Sequence, residues 1–264
     1  MQKHLGHAAR KRFGQHFLHD QTVIQRIVAA LHPQPGDHLV EIGPGRGALT
    51  RPLLAAVGAL DVIELDRDLI PLLQAECAGM GELRIHQADA LKFDFTALVK
   101  HGERLRIAGN LPYNISTPLL FHLLDHAHAI QDMHFMLQKE VAQRMVAAPG
   151  GKDYGRLSVM LQYRCEMEKL FTVGAGAFSP PPKVESAVVR IIPRAQPAVH
   201  LDDEAAFARV VSTAFAQRRK TLRNSLKTLL TGQQIRALGI APDARAEQLS
   251  LDQFALLSNA LHAR

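Results

Sequence analysis

The sequence has few of the features that mark an exported or membrane-spanning protein. Its 264 residues include only two cysteines, Cys77 and Cys165, which lie too far apart for a metal-binding spacing. No apolar run approaches the ~20 residues of a membrane-spanning helix, and the first residues hold no apolar segment of the signal-peptide kind. We therefore expect a reduced, cytoplasmic protein with neither a bound metal nor a membrane contact.

Positive charge is moderate in amount but uneven in distribution. The net charge is +6, and the first acidic residue, Asp20, follows a basic segment that includes Arg10, Lys11 and Arg12. A second cluster without an acid consists of Arg218, Arg219, Lys220, Arg223 and Lys227. One such run is common on a solvated helix face. Two runs favour a polyanion, so the charge pattern predicts contacts with nucleic acid phosphates.

A strand, a glycine turn and a helix open the N-terminal half of the chain. Residues 38–42 are mostly apolar, Gly43-Pro44-Gly45-Arg46-Gly47 follows, and apolar residues then recur at helical spacing from residue 49 to residue 57. Glycines allow a tight turn and let a ligand approach the backbone closely. The pattern predicts the beginning of a doubly wound α/β sheet, whose ligands bind at the carboxyl ends of the strands.

Two acidic residues follow the next two predicted strands. Glu64 comes directly after the apolar run 60–63, and Asp89 follows the run 83–86. An acid after the second strand is a usual partner of ribose hydroxyls. Asp89 can accept from an adenine amine, although it also suits a helix N-cap. The glycine turn loosely fits a dinucleotide as well, so these residues alone leave the nucleoside cofactor open.

The tetrapeptide Asn110-Leu111-Pro112-Tyr113 closes a further predicted strand, residues 105–109. The carboxamide oxygen of Asn110 and the backbone carbonyl of Leu111 can both accept from one amino group. Pro112 stiffens the turn, and Tyr113 can stack on the ring that carries the amine. The tetrapeptide therefore predicts a grip for the exocyclic amine of adenine or cytosine, or for an amide.

With these features the chain resembles the S-adenosylmethionine-dependent methyltransferases, and more narrowly the bacterial small-subunit members of the rRNA adenine N6-dimethyltransferase family. Six segments carry the resemblance: residues 12–18, 40–45, 62–66, 109–116, 178–184 and 217–224. The resemblance implies a Rossmann-like, seven-stranded α/β methyltransferase fold with a small all-helical C-terminal domain. We place the methyltransferase domain with its basic arm at residues 1–197 and the helical, RNA-contacting domain at residues 198–264.

The resemblance also implies roles for individual residues. The methyl donor, S-adenosylmethionine, is expected to contact His16, Leu18, Gly43, Glu64, Asp89 and Asn110. Position 16 is more often Asn in the family. The target base is expected to be held by Asn110, Leu111, Pro112 and Tyr113, with Phe178 on another side. Without the family, Phe178 would be interpreted as a core residue beside a proline-rich turn.

The implied activity is N6,N6-dimethylation of two adjacent adenosines in a hairpin loop near the 3′ end of 16S rRNA, within an immature small ribosomal subunit. We expect the protein to act as a monomer. An alternative is an assembly factor whose RNA binding matters more than its catalysis. A nicotinamide-dependent oxidoreductase would leave the tetrapeptide unexplained, and methylation of a protein glutamine would leave the basic C-terminal cluster unexplained.

Overall fold

The computed structural model describes residues 15–99 and 102–262. The N-terminal basic residues Arg10, Lys11 and Arg12 lie outside the described residues. Nine strands and ten α-helices can be assigned in the described part of the chain. The strands are β1 (Phe17–Leu18), β2 (Leu39–Ile42), β3 (Ala59–Glu64), β4 (Glu82–Gln87), β5 (Leu105–Asn110), β6 (Ile130–Gln138), β7 (Cys165–Val173), β8 (Phe178–Ser179) and β9 (Ser186–Pro193).

The helices alternate with the strands in the first part of the chain and follow one another after β9. They are α1 (Gln21–Leu31), α2 (Thr50–Val57), α3 (Ile70–Glu76), α4 (Ser116–Asp125), α5 (Lys139–Met145), α6 (Arg156–Arg164), α7 (Glu204–Phe215), α8 (Leu222–Ser225), α9 (Gly232–Ala237) and α10 (Leu251–His262). None of the helices in the described residues is both long and apolar enough to cross a membrane.

Seven strands form the main sheet in the order β4-β3-β2-β5-β6-β9-β7, and β1 pairs with β8 separately. Strands β2 to β6 pair in parallel where they are neighbours, whereas β6 and β9 are antiparallel. The chain runs outward from β2 in one direction and from β5 in the other. Such a reversal of strand order opens a crevice at the carboxyl ends of the strands. The prediction of a seven-stranded α/β sheet is confirmed.

Burial explains which strands the sequence revealed. Strands β2 and β5 are central and almost fully buried, as expected for parallel strands covered on both faces. Strand β7 was not predicted. It lies at one edge of the sheet, and Glu166, Glu168 and Lys169 interrupt its apolar residues. Strand β4 lies at the other edge and is also exposed or half-buried, but it keeps the alternation of Leu83 and Ile85 that marks a strand.

The described chain divides into two compact units. The first comprises residues up to Ala142 together with Glu168–Pro193, and the second comprises Gln143–Met167 with the residues from Arg194 onward. The predicted division at residue 197 placed 143–167 in the methyltransferase domain. The structure groups this segment with the C-terminal helices, because Tyr154, Val159 and Tyr163 belong to the same apolar core as Phe207.

The helices of the second unit follow the apolar spacing of the sequence only in part. Phe207, Val210 and Val211 recur at helical spacing, and α7 buries all three; Asp203 caps its N-terminus by accepting from the backbone N–H of Ala205. The apolar residues from 222 to 230 also recur at helical spacing, but α8 ends at Ser225. Buried leucines at helical spacing persist beyond the helix because they still face this core.

Candidate active site

A cleft of about 380 Å³ opens at the carboxyl ends of β2, β3, β4 and β5 in the first unit. It brings together most of the predicted site residues, although they come from five separate segments of the sequence. The predicted residues that line it are His16, Leu18, Gly43, Glu64, Asp89, Asn110, Leu111, Pro112 and Tyr113. The cleft therefore contains both the residues predicted for the donor and the tetrapeptide predicted for the target.

Glu64, the last residue of β3, is hydrogen-bonded to the glycine turn that follows β2. Its Oε2 accepts from the backbone N–H of Gly45 at 3.2 Å, and its Oε1 accepts from the backbone N–H of Asp66 at 2.7 Å. Burial raises the pKa of Glu64, and these two hydrogen bonds oppose the rise. Each carboxylate oxygen can accept more than one hydrogen bond, so Glu64 retains capacity for a pair of ligand hydroxyls.

Two glycines, Gly43 and Gly109, lie where the ends of the neighbouring strands β2 and β5 approach each other. Gly43 follows β2 at φ +69°, a left-handed conformation that favours glycine. A Cβ on Gly109, within β5, would lie 2.5 Å from the carbonyl oxygen of Ile42. Any side chain at residue 109 would therefore push β5 away from the end of β2. Together the two glycines let the ends of β2 and β5 approach each other closely.

Asp89 follows β4 and lines the same cleft. Its Oδ1 accepts from the backbone N–H of Leu91 at 3.0 Å, which forms a local turn. The turn and the ligand interpretations of Asp89 are thus compatible, because the local bond fixes the carboxylate at the edge of the cleft.

Glu41, within β2, is a functional candidate that the sequence analysis missed. It lines the cleft, yet it is only 1% exposed, and its Oε2 has no hydrogen-bond partner among the described residues. Burial raises the pKa of Glu41 to about 8; the hydroxyl of Thr50 opposes this rise, and the negative charge of Glu64 adds to it. Glu41 could have been found from the sequence, because the apolar pattern of β2 predicts that residue 41 is buried. A carboxyl group at a buried position is a sign of a functional residue.

Asn110 ends β5, and its carboxamide is oriented by the N-terminal segment. Its Nδ2 donates to the backbone carbonyl of His16 at 3.0 Å. Because the amide nitrogen is used in this way, the oxygen Oδ1 is the end of the side chain that can accept from a ligand amine. Leu111 follows, with its N–H donating to the carbonyl of Met136 in β6 at 3.1 Å.

Tyr113 is held at its hydroxyl and on its ring. The hydroxyl shares a 2.7 Å hydrogen bond with Oγ of Ser186, and the His16 ring stacks on the tyrosine ring with centroids 5.8 Å apart. Burial raises the pKa of Tyr113, against the opposing effect of Ser186, so the side chain is a neutral phenol at neutral pH. This arrangement suits an aromatic stacking surface and not a base that removes protons.

His16 itself is fixed by the segment that precedes β9. Its Nδ1 donates to the backbone carbonyl of Pro180 at 2.8 Å. The neighbouring β1 and β8 pair antiparallel, with Phe17 opposite Ser179. The sequence analysis assigned His16 to the donor, and this contact stays a prediction; the structure shows the imidazole against the ring of Tyr113.

Phe178 is the one predicted base-contacting residue that does not line the cleft. It is 2% exposed and belongs to the apolar core of the first unit, where it lies opposite Leu18 in the β1–β8 pair. In this structure Phe178 therefore packs as the core residue that its proline-rich surroundings suggested, and a contact with the target base stays a prediction.

The basic C-terminal cluster is exposed, but its members differ in their contacts. The guanidinium of Arg218 donates to the carbonyl of Lys152 at 2.7 Å and pairs with Glu247 at 3.3 Å. Arg223 pairs with Asp243 at 3.2 Å. Arg219, Lys220 and Lys227 are also exposed. Arg218 thus has a structural role within the second unit in addition to the predicted contact with RNA.

The described residues contain no cluster of three or more histidine, cysteine, aspartate or glutamate side chains that could hold a metal ion. Both cysteines are buried and free. Burial raises the pKa of Cys165 to about 12, so its thiol is not a nucleophile at neutral pH. The side chains that line the described cleft include carboxylates, an amide and an aromatic ring.

Comparison with known proteins identifies a family that matches almost the whole chain. The sequence profile of the family described as "Ribosomal RNA adenine dimethylase" matches residues 6–263. A protein of Pseudomonas aeruginosa named ribosomal RNA small subunit methyltransferase A is 59% identical over 255 residues, which cover 97% of this chain and 95% of the relative. A protein of the same name from Nitrosococcus oceani is 59% identical over 254 residues, covering 96% of each chain.

Solved structures show the same fold at lower sequence identity. A dimethyladenosine transferase from Plasmodium falciparum superposes with a TM-score of 0.75 at 26% identity, covering 92% of this chain and 96% of that one. The 23S rRNA methyltransferase ErmE superposes with a TM-score of 0.72 at 26% identity, covering 93% and 99%. The Rossmann-like methyltransferase fold predicted from the sequence is thereby confirmed.

Proposed function

Because this chain belongs to the ribosomal RNA adenine dimethylase family, we propose that it transfers two methyl groups from S-adenosylmethionine to N6 of each of two adjacent adenosines in 16S rRNA. The proposed target is a hairpin loop near the 3′ end, within an immature small subunit in the cytoplasm. The protein is proposed to act there as a monomer. The observation that carries the proposal is the position of Asn110-Leu111-Pro112-Tyr113 in the same cleft as Glu64 and Asp89.

The donor half of the cleft fits S-adenosylmethionine. Glu64 can accept from the ribose hydroxyls, and Asp89 can accept from the adenine amine at the end of the next strand. Gly43 would lie against the part of the donor that carries the sulfur. When bound, the donor supplies an electrophilic methyl group on a sulfonium. A cationic group beside the deeply buried Glu41 would favour the carboxylate form of Glu41.

The target half of the cleft orients the adenine amine. Oδ1 of Asn110 and the carbonyl of Leu111 each accept one N6 hydrogen, so the nitrogen lone pair is directed away from them and toward the methyl group. Holding the two reactants in line at ~3–3.5 Å contributes several kcal/mol to the rate. Tyr113 stacks on the base, a contact worth ~1–3 kcal/mol.

No described side chain needs to act as a strong base in this reaction. The methylated N6 cation is acidic and loses its proton to water after transfer. Tyr113, as a neutral phenol bound to Ser186, is not required to accept it. For the second transfer the monomethylated amine returns with one hydrogen fewer, so one of the two acceptors, Asn110 or Leu111, then faces the added methyl group.

The basic residues are proposed to hold the RNA around the target. A base in a helix must leave the stack before it can enter such a cleft, and single-stranded loops present bases most readily. Arg219, Lys220 and Lys227 are exposed and suited to flanking phosphates, with Arg10, Lys11 and Arg12 of the N-terminal arm as a second group.

The test is to incubate the purified protein with methyl-labelled S-adenosylmethionine and small subunits that lack the modification, and then to analyse nuclease digests by mass spectrometry. Labelled N6,N6-dimethyladenosine in two adjacent positions of the 16S rRNA is expected. Label in cytosine or in protein glutamine, or none at all, would refute the proposal. A protein that promotes subunit assembly without transferring label would instead be the RNA-binding assembly factor.

A further inference from the structure

Ser186 is a buried polar residue that lies next to the target side of the cleft. It begins β9, is 0% exposed, and pairs in register with Gln138, the last residue of β6. The hydroxyl of Tyr113 reaches across the end of β6 to Oγ of Ser186, at 2.7 Å. The tetrapeptide at the end of β5 is thus linked to a strand two positions away in the sheet.

The backbone around Ser186 is itself held firmly in place. The N–H of Lys139 donates to the carbonyl of Glu185 at 2.9 Å, and Nζ of Lys139 pairs with the Glu185 carboxylate at 2.6 Å. These two bonds and the β6–β9 ladder fix the residues on either side of the serine. Ser186 can therefore act as an anchor, because the rest of the sheet would have to move with it.

We infer that Ser186 is a positioning residue for the target base, which acts by holding the phenol of Tyr113 in the orientation that stacks on adenine. The inference rests on the proposed function. Ser186 does not itself touch the base in this arrangement. It fixes the far end of the aromatic side chain, while His16 covers the ring at a centroid distance of 5.8 Å and an interplanar angle of 28°. The base then stacks on the face of Tyr113 opposite His16.

A tyrosine anchored in this way has a specific advantage over a phenylalanine. The hydrogen bond to Ser186 selects one ring orientation before the base arrives, so less freedom is lost when the base stacks. The bond is also made in a buried place, where losing one partner leaves the other hydroxyl unpaired. Removing either hydroxyl should therefore loosen the stacking surface without removing it.

The test compares Ser186→Ala, Tyr113→Phe and the double variant in steady-state dimethylation of small subunits. Each single change is expected to lower kcat by about 3–10-fold, as for the loss of one hydrogen bond that matters in the transition state. The double variant is expected to match the single ones, because both changes break the same bond. The affinity for S-adenosylmethionine, measured by calorimetry, should stay at the wild-type value.

Ser258→Ala is the matched control. Ser258 is also a fully buried serine, lies in α10, and its Oγ has no hydrogen-bond partner in the described part of the chain. It should leave kcat unchanged, and the melting temperature of every variant is measured to confirm that it is folded at the assay temperature. A wild-type kcat for Ser186→Ala, or multiplying losses in the double variant, would overturn the inference. A wild-type protein that produces no dimethyladenosine would instead overturn the proposed function.

Discussion

The proposed donor and target sides of the cleft are held by hydrogen bonds that span very different distances in the sequence. On the donor side, the acceptor Asp89 bonds a residue two positions away, and Glu64 bonds Gly45, 19 positions away. On the target side, Asn110 bonds His16 across 94 positions, and Tyr113 bonds Ser186 across 73. His16 in turn bonds Pro180 across 164 positions.

This difference predicts which property a substitution on each side of the cleft should change. The donor side is a set of strand ends and turns that form as soon as the sheet forms. The target side depends on the docking of β1 and β8 and on the start of β9. Substitutions on the donor side should therefore change binding of the donor, whereas substitutions on the target side should change the orientation of the base and hence turnover.

The largest expected effect is that of Asn110→Ala on turnover. The change removes an acceptor for the N6 hydrogens and the bond that holds the backbone of residue 16. We expect kcat to fall by about 100-fold or more, in the range seen when a positioned hydrogen-bonding group is lost from an active site. Single-turnover kinetics with saturating donor measure the effect, and calorimetry measures donor affinity separately.

In the same experiment Asn110→Asp tests the orientation of the amide. Aspartate keeps the size and the acceptor oxygen but cannot donate to the carbonyl of His16. It should therefore also be impaired. A donor affinity that falls as much as kcat for both variants would contradict the division of the cleft into two sides.

The next expected effect is that of Glu64→Ala on donor affinity. The carboxylate is the predicted acceptor for the ribose hydroxyls, and it also holds the N–H of Gly45. Loss of hydrogen bonds to a charged group should raise Kd for S-adenosylmethionine by about 10–100-fold. We expect kcat at saturating donor to stay within severalfold of wild type. A kcat that falls as far as in Asn110→Ala would contradict the division of the cleft into a donor side and a target side.

The smallest expected effect on turnover is that of Glu41→Gln, which acts on stability through pH. The folded pKa of Glu41 is about 8, above the ordinary value of 4.5. The folded protein therefore keeps a proton that the unfolded chain releases, and stability falls as pH rises through this window. Glutamine cannot ionise, so the variant lacks this part of the loss, which we expect to be on the order of 5 kcal/mol.

Urea unfolding of Glu41→Gln and wild type at intervals from pH 5 to pH 9 measures this difference. The two free energies of unfolding should diverge in favour of the variant as pH rises and should level off above the folded pKa. Parallel curves would mean that Glu41 is not the buried proton-binding group on the donor side. The raised pKa of Glu64 acts in the same direction in both proteins. Its contribution is smaller in the variant, because the charges of Glu41 and Glu64 repel each other and the variant lacks the charge at residue 41.

The sequence analysis succeeded where burial and sequence order coincide. The central strands β2 and β5 are apolar because both faces are covered, and the predicted ligand-binding residues lie at their ends. It failed where a residue's partner is remote. Edge strand β7 has no apolar run, and residues 143–167 gave no sign that they would join the C-terminal core.

The contacts of single residues were also not predicted where the partner is remote in the sequence. Arg218 belongs to a basic run, yet its guanidinium bonds the carbonyl of Lys152, 66 positions away. Ser186 is one serine beside a proline-rich segment, and no local pattern connects it with Tyr113. Partners of this kind are chosen by the arrangement of the sheet, which a period of 2 or 3.6 residues does not encode.

By itself, the sequence determined the α/β fold, the glycine turn, the acids at the strand ends and the tetrapeptide, because each depends on residues that are neighbours along the chain. Only the tertiary structure decided how the side chains of Asn110 and Tyr113 in the tetrapeptide are oriented. The strand order of the sheet and the β1–β8 pair bring His16 and Ser186 to Asn110 and Tyr113. A hydrogen bond across the fold needs both partners in place, and that placement is a property of the whole packed sheet.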